Sequence, residues 1–322
     1  RLDRVAGITE GFFAPGSARE TPQLSDAANE IVARWPSYPA LRSQRAVEIF
    51  GRVKPELLAR LGRAANPEEA LVHIDGFLRG LPAGVQLFAM FDANPQLIDL
   101  IVDIASTAPE LANYLSRHSG VFDAVIGGGF FADWPGVEAL TAALAEVLAE
   151  DDDYEARLNA TRRWRNEWQF RVGVHHLRGL ISGVEAGRSY ADIADAVLAA
   201  LWGPVVEEFA TKHGPPPGRG AMVLGMGSLG ARALTVTSDL DLIVIYDPAG
   251  VEMSDGRRPL ASRAYFARLT QAFVTALSAP MGDGRLYEVD MRLRPSGRQG
   301  PVATSLASFQ SYQSTDAWTW EH

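Results

Sequence analysis

The sequence predicts an α+β chain, helical over roughly its first 200 residues and built around a mixed sheet thereafter. Three observations carry this expectation. Apolar residues recur at helical spacing from "SDAANEIVARW" to "SYADIADAVLAALWGPVVEEFATKHG", the pattern of helices that bury one face. "HGPPPGRG" (213 to 220) then ends the helical section, because its prolines and glycines cannot continue a helix. Beyond it the period changes: "AMVLGMGSLG" is a short apolar strand with a glycine-rich turn, and "ARALTVTSDLDLIVIYD" supplies a second strand.

Taken in order, "SDAANEIVARW" opens on Ser25 as N-cap. "ALRSQRAVEIFGRVKPELLARLGRAA" is helical on either side of Pro55, which is expected to kink or split it. "NPEEALVHIDGFLRGL" has Asn66 as cap, Pro67 at the first helical position and acids in the first turn. "GVQLFAMFDANPQLIDLIVDIA" carries Asp92, Asn94, Pro95, Asp99 and Asp103, so it reads as two amphipathic helices with a break and not as a membrane span. "IGGGFFADWPG" (126 to 136) cannot stay helical and marks an internal boundary. "VEALTAALAEVLAEDDD", "YEARLNATRRWRNEWQFRVGVHHLRGLISG" and the segment from Ser189, read as its cap, are helices. After the two strands, "RAYFARLTQAFVTALSAP" is a helix, and the alternation in "GRLYEVDMRLRPSG" predicts a further strand.

Composition narrows the function classes. A net charge of −9 over 322 residues argues against a large non-specific nucleic-acid surface. The absence of cysteine excludes disulfides, thiolate metal sites and thiol catalysis, and fits a cytoplasmic protein. The start, "RLDRVAGITEGFF", lacks the apolar core of a signal peptide. Beginning at Arg1 and stopping at "WTWEH", the chain reads as a piece of a longer protein.

The chemistry concentrates in "SDLDLIVIYD" (238 to 247). Asp239 and Asp241 project from one face of a strand whose body is apolar enough to be buried. Two carboxylates so close raise one another's proton affinity unless a cation neutralises them, and hard oxygen ligands with room for phosphates suit Mg²⁺. A third acid, Asp290, lies on what reads as an adjacent strand, in "YEVDMRLRP". Three such carboxylates can clamp metal ions on either side of an in-line phosphoryl-type displacement. In "LGMGSLG", Gly225 and Gly227 let the backbone approach a ligand, and Ser228 is read as capping the helix after it. Strand, glycine-serine turn, helix and Asp-x-Asp strand form a nucleotide site in sequence order.

With these residues in view, "GMGSLGARALTVTSDLDLIVIYD" and "LYEVDMRLRPSGRQGPVATSLASFQSYQSTDAWTWEH" resemble the bifunctional glutamine synthetase adenylyltransferase/adenylyl-removing enzymes, within the DNA-polymerase-β-like nucleotidyltransferases. The resemblance is dense from 219 to 322 and looser over 150 to 210. It implies a helical linker or regulatory region over 1–130, helices packing on the catalytic domain over 131–212, and a polymerase-β-like domain over 213–322, truncated at its end. It implies Asp239, Asp241 and Asp290 as metal-binding acids, with Asp290 nearest the attacking hydroxyl. Gly227 and Ser228 are implied as triphosphate contacts, and Arg292 and Arg294 as cations for phosphate charge or partners of a nearby acid. The implied activity is Mg²⁺-dependent transfer of AMP from ATP to a tyrosine of glutamine synthetase, a control on nitrogen assimilation, with the PII signalling protein as a regulatory partner. "RPSG" at Ser296 and "DAWTWEH" favour the adenylylating half over the removing half, in which phosphate attacks adenylyl-tyrosine and ADP leaves. A departure is Ser228, where the family usually has lysine, with Ala231 replacing the turn's final glycine.

Other features have plainer readings. His175 and His176 lack partners at ligand spacing and read as packing residues, "TRRWRNEWQF" as a basic-aromatic helix lying on the catalytic domain, and Asp151 to Asp153 as a solvated helix end. The rival from another class is a non-catalytic regulatory module binding proteins through its helices, against which the three acids speak.

Overall fold

The structure, a computed structural model, describes residues 25–107, 111–112, 114–115 and 129–317. The start "RLDRVAGITEGFF", part of the 126–136 boundary segment and the end of "DAWTWEH" lie outside the described residues. The chain divides into two compact units, Arg1–Ala132 and Asp133–His322.

The first unit is helical: α1 (Asp26–Arg34), α2 (Gln44–Leu61), α3 (Pro67–Gly80), α4 (Val85–Ala93) and α5 (Gln96–Thr107). Ser25 caps α1 as expected, its side chain accepting from the Ala28 amide. Pro55 does not split α2, which runs through it. The carbonyl that loses its partner belongs to Gly51, on the exposed side of the helix, where water can take the bond. Asn66 stands at the N-cap of α3, but its side chain donates to Glu69 at 2.7 Å instead of capping the backbone. The break expected between α4 and α5 is present at Asn94 and Pro95. Trp35 is fully buried, and its indole shares Asp75 Oδ1 with the Tyr38 hydroxyl at 3.2 and 2.7 Å. Arg79 pairs with the other Asp75 oxygen, so this buried carboxylate is fully partnered.

The second unit is α+β. Three helices come first: α6 (Val137–Ala149), α7 (Tyr154–Leu177) and the 31-residue α8 (Gly183–His213). Asp153 caps α7 through the Ala156 amide. The expected start of α8 at Ser189 is corrected by the structure. A reciprocal capping box between Ser182 and Glu185 begins the helix well before it, and the Ser189 hydroxyl donates to the Glu185 carbonyl.

Four strands come next: β1 (Gly220–Gly225), β2 (Leu240–Asp247), β3 (Val289–Asp290) and β4 (Ala303–Ser305). They are joined by α9 (Gly227–Gly230) and α10 (Ser262–Ser278), with α11 (Leu306–Thr315) after them. β2 is the hub. β1 runs antiparallel along one side, with Gly225 opposite Leu242. β3 and β4 run parallel along the other, β3 at the start of β2 and β4 at Val244–Tyr246. This is a small mixed sheet on a largely helical chain, the α+β architecture the sequence predicts.

Alternation along β2 turns Leu240, Leu242, Val244 and Tyr246 into one apolar core with α6, α8 and α10. Tyr246 stacks on Phe266 with ring centroids 4.5 Å apart. The long strand expected across "GRLYEVDMRLRPSG" shrinks to two residues. The Arg292 amide turns back onto Asp290 Oδ1 at 2.8 Å, and bonds from Arg294 to Met291 and from Gly297 to Arg294 carry the chain away from β2.

The helix holding "TRRWRNEWQF" lies against this sheet domain through Arg162, which is fully buried. Its guanidinium donates to four carbonyls, those of Gly284, Leu158, Ala276 and Ala279, at 2.8–2.9 Å. Ala276 lies in the last turn of α10 and Ala279 is its C-cap, where carbonyls have no partner within the helix. No helix among the described residues is long and apolar enough to cross a membrane.

Candidate nucleotide and metal site

The antiparallel pairing of β1 with β2 brings the glycine turn to the acids. Directly after β1, the Met226 amide donates to the Asp241 carbonyl at 2.8 Å. Gly227 has φ +51°, a conformation that favours glycine. A Cβ there would fall on Asp241 Oδ2 and lie 3.0 Å from its Cγ. Gly227 is thus demanded by both backbone and space, and the turn rests on the carboxylate itself. A Cβ on Gly225 would meet the Leu229 side chain at 2.7 Å, so the turn is also packed on itself.

The helix expected after the turn is a single turn, α9, and Ser228 does not cap it. Met226 holds the N-cap position without a side-chain bond, and Ser228 is an exposed residue within the turn. Arg232, at φ +53°, ends α9 before a longer helix can form. Its guanidinium reaches Asp192 and Asp195 on α8, three residues that no local motif singles out.

Asp239 stands exposed one residue before β2, and Asp241 is the second residue of the strand. Asp290, the last residue of β3, is the direct parallel partner of Asp241. The structure therefore brings all three acids to one end of the sheet. Burial, reinforced by the charges of Asp239 and Asp290, lifts the Asp241 carboxyl above its ordinary value, and Arg292 opposes the shift. Arg292 donates its amide and Nε to the Asp290 carboxylate at 2.8 and 2.5 Å, and its other guanidinium nitrogen pairs with the same group. That hydrogen bonding holds the guanidinium above its ordinary value, with the charges of Asp239 and Asp241 adding to it. Arg294 instead donates to the carbonyls of Met291 and Gly300, fastening the turn after β3. The expected single strand face carrying Asp290, Arg292 and Arg294 is absent because the strand ends at Asp290.

Among the described residues no three His, Cys, Asp or Glu side chains are gathered closely enough to hold an ion by themselves. The donor set still fits Mg²⁺. It is oxygen-only and open to water at Asp239, and it sets three carboxylates against the single Arg292 guanidinium. An ion there would draw its remaining ligands from phosphate and water. His175 and His176 sit in the last turn of α7.

The acids on an apolar strand beside a tight glycine turn are the residues on which the sequence resembles nucleotidyltransferases. Residues 98–322 match the family described as glutamate-ammonia ligase adenylyltransferase, and the chain belongs to that family. A bifunctional glutamine synthetase adenylyltransferase/adenylyl-removing enzyme of Rhizobium meliloti is 44% identical over 301 residues, 92% of this chain and 30% of the relative. Enzymes of the same description from Brucella melitensis and Agrobacterium fabrum are 43% and 41% identical over 88% and 93% of this chain. The chain spans about 30% of the length of these relatives.

Proposed function

We propose that this chain carries the adenylylating activity, transferring AMP from ATP to a tyrosine hydroxyl of glutamine synthetase and releasing pyrophosphate. The observation that carries the reading is the register of Asp241 with Asp290, with the Gly227 turn seated on the Asp241 carboxylate. Support for the direction is "RPSG" at Ser296. Asp239, Asp241 and Asp290 would hold Mg²⁺, which supplies charge neutralisation for the phosphates and the leaving pyrophosphate.

The chain's own residues do the rest. The Gly227 turn, with Ser228, takes the triphosphate against backbone amides. Asp290 stands at the open end of the sheet, where it can accept the tyrosine proton. Arg292, already beside Asp290, neutralises charge that develops on the transferred group, while Arg294 sets the shape of the turn that carries it. Positioning and fixed charge would account for most of the rate. The PII signalling protein would act as a regulatory partner, in the cytoplasm.

The same acids serve the removing reaction, and the relatives' description names both activities, so the test must separate them. ATP labelled at the α-phosphate, Mg²⁺ and unmodified glutamine synthetase are incubated with the chain or with Asp239→Asn/Asp241→Asn. Label on the synthetase is expected with the intact acids, and a loss of at least about 10³-fold without them, a magnitude typical of essential site groups. Phosphate-dependent ADP release from adenylylated synthetase, with no labelling, would assign the removing half instead.

A further inference from the structure

We infer that Arg232 is a positioning residue that fastens the segment between the glycine turn and Asp239 to helix α8. The inference rests on the nucleotidyl-transfer reading and deepens it. The segment from 227 to 239 carries the glycine-serine contacts proposed for the triphosphate, together with the first metal-facing acid. It is tied to the sheet at its beginning by the Met226 amide on the Asp241 carbonyl. α9 is only four residues long, so regular structure does little to hold the residues after it.

Arg232 supplies the second tie. It adopts φ +53°, a conformation side chains with a Cβ rarely take, and in doing so sends its guanidinium to α8. One nitrogen pairs with Asp192 Oδ1 and the other with Asp195 Oδ2 at 3.1 Å. Asp192 is buried and held in turn by the Trp134 indole, which donates to its other oxygen at 2.7 Å. Burial lifts the Asp195 carboxyl above its ordinary value, with Asp192 adding to the shift and Arg232 drawing it back. Two acids placed three residues apart on one helix are matched by a single cation from the nucleotide loop.

The backbone beyond Arg232 also approaches α8 closely. A Cβ on Gly187 of α8 would come within 3.4 Å of Ala233 Cα and the Leu234 carbonyl. Just past this contact the Thr235 amide bonds the Ser238 side chain at 2.9 Å, closing the last turn before Asp239. Arg232 therefore sets the distance between α8 and the loop, and through the loop the placement of the Gly227 turn relative to Asp239 and Asp241.

The test measures MgATP affinity by isothermal titration and the melting temperature without nucleotide, in the intact chain. Arg232→Gly alone would strand two carboxylates, so the decisive variant is Asp192→Asn/Asp195→Asn/Arg232→Gly. It removes all three charges together and puts at 232 a residue suited to φ +53°. The expected result is a melting temperature near that of the wild type and a Kd for MgATP raised about tenfold, with Arg232→Lys between the two; an ångström of misplacement can cost far more than this in catalysis. Wild-type affinity in the folded triple variant overturns the proposal. Should the triple variant not fold, Arg232→Lys decides: unchanged affinity overturns the proposal, and a weakened one at an unchanged melting temperature supports it. A wild-type chain that fails to bind MgATP, or binds it equally well as Asp241→Asn, refutes the nucleotide reading itself and the proposal with it.

Discussion

Replacing Gly227 with alanine is expected to abolish most nucleotidyl transfer while leaving the chain folded. Two effects act together. Alanine at φ +51° is strained by about 1–2 kcal/mol, and its Cβ would press into Asp241 Oδ2 and lie 3.0 Å from its Cγ. The turn and the carboxylate cannot both keep their places, and displacement of a site group by an ångström costs on the order of 10²-fold in rate. Ser228→Ala provides the comparison. It removes one exposed hydroxyl and no backbone constraint, so a loss of about tenfold is expected, in keeping with one hydrogen bond to a charged group. Label transfer to glutamine synthetase at saturating ATP measures both. Full activity in Gly227→Ala would show that the turn does not work against Asp241.

The largest effect on stability is expected at Arg162. Arg162→Met keeps an apolar stem but removes the donors to four carbonyls, leaving that of buried Ala276 and those of half-buried Ala279 and of Gly284 without this partner. The expected cost is about 3–5 kcal/mol, a fall in melting temperature on the order of 10 °C for a unit of this size. Arg162→Lys, which can reach fewer of the carbonyls, should lose about half as much. Thermal unfolding followed by circular dichroism decides the matter, and a shift of less than about 2 °C for Arg162→Met would rule out the role. Burial already lowers the proton affinity of this guanidinium, aided by Arg165. Against that burial, four carbonyl dipoles converge on the guanidinium.

Much of this architecture is legible in the sequence because it rests on local rules. The apolar run of β2, with Asp241 near its start, derives from strand geometry, while Asp239 falls one residue before the strand. The glycine turn is legible because glycines cluster where backbone must approach something. The errors arise where a local pattern competes with distant pairing. "YEVDMRLRP" alternates like a strand, yet β2 offers β3 only Leu240 and Asp241 as partners, and Asp290 captures the Arg292 amide. β4, three residues of "PVATS", has no periodicity to reveal it and exists only because β2 has a free edge at Val244–Tyr246. The capping box is written plainly as "SGVE" at 182–185, upstream of the Ser189 that the helical pattern suggests as a cap. Arg162 and Arg232 are invisible for a different reason: apart from the Leu158 carbonyl, the partners named for them lie some 40 to 120 residues away.

The three acids are mounted on supports of unequal stiffness. Asp241 belongs to an eight-residue strand paired on both sides, whereas Asp290 hangs from a strand of two residues. Local opening of β3 breaks only a few ladder bonds and needs no rearrangement of the hub strand, so its free energy lies far below that of global unfolding. One wall of the site is therefore compliant. On the proposed adenylylating reading, Asp290 and its turn can shift as the acceptor hydroxyl enters while the Asp241 side keeps its registration.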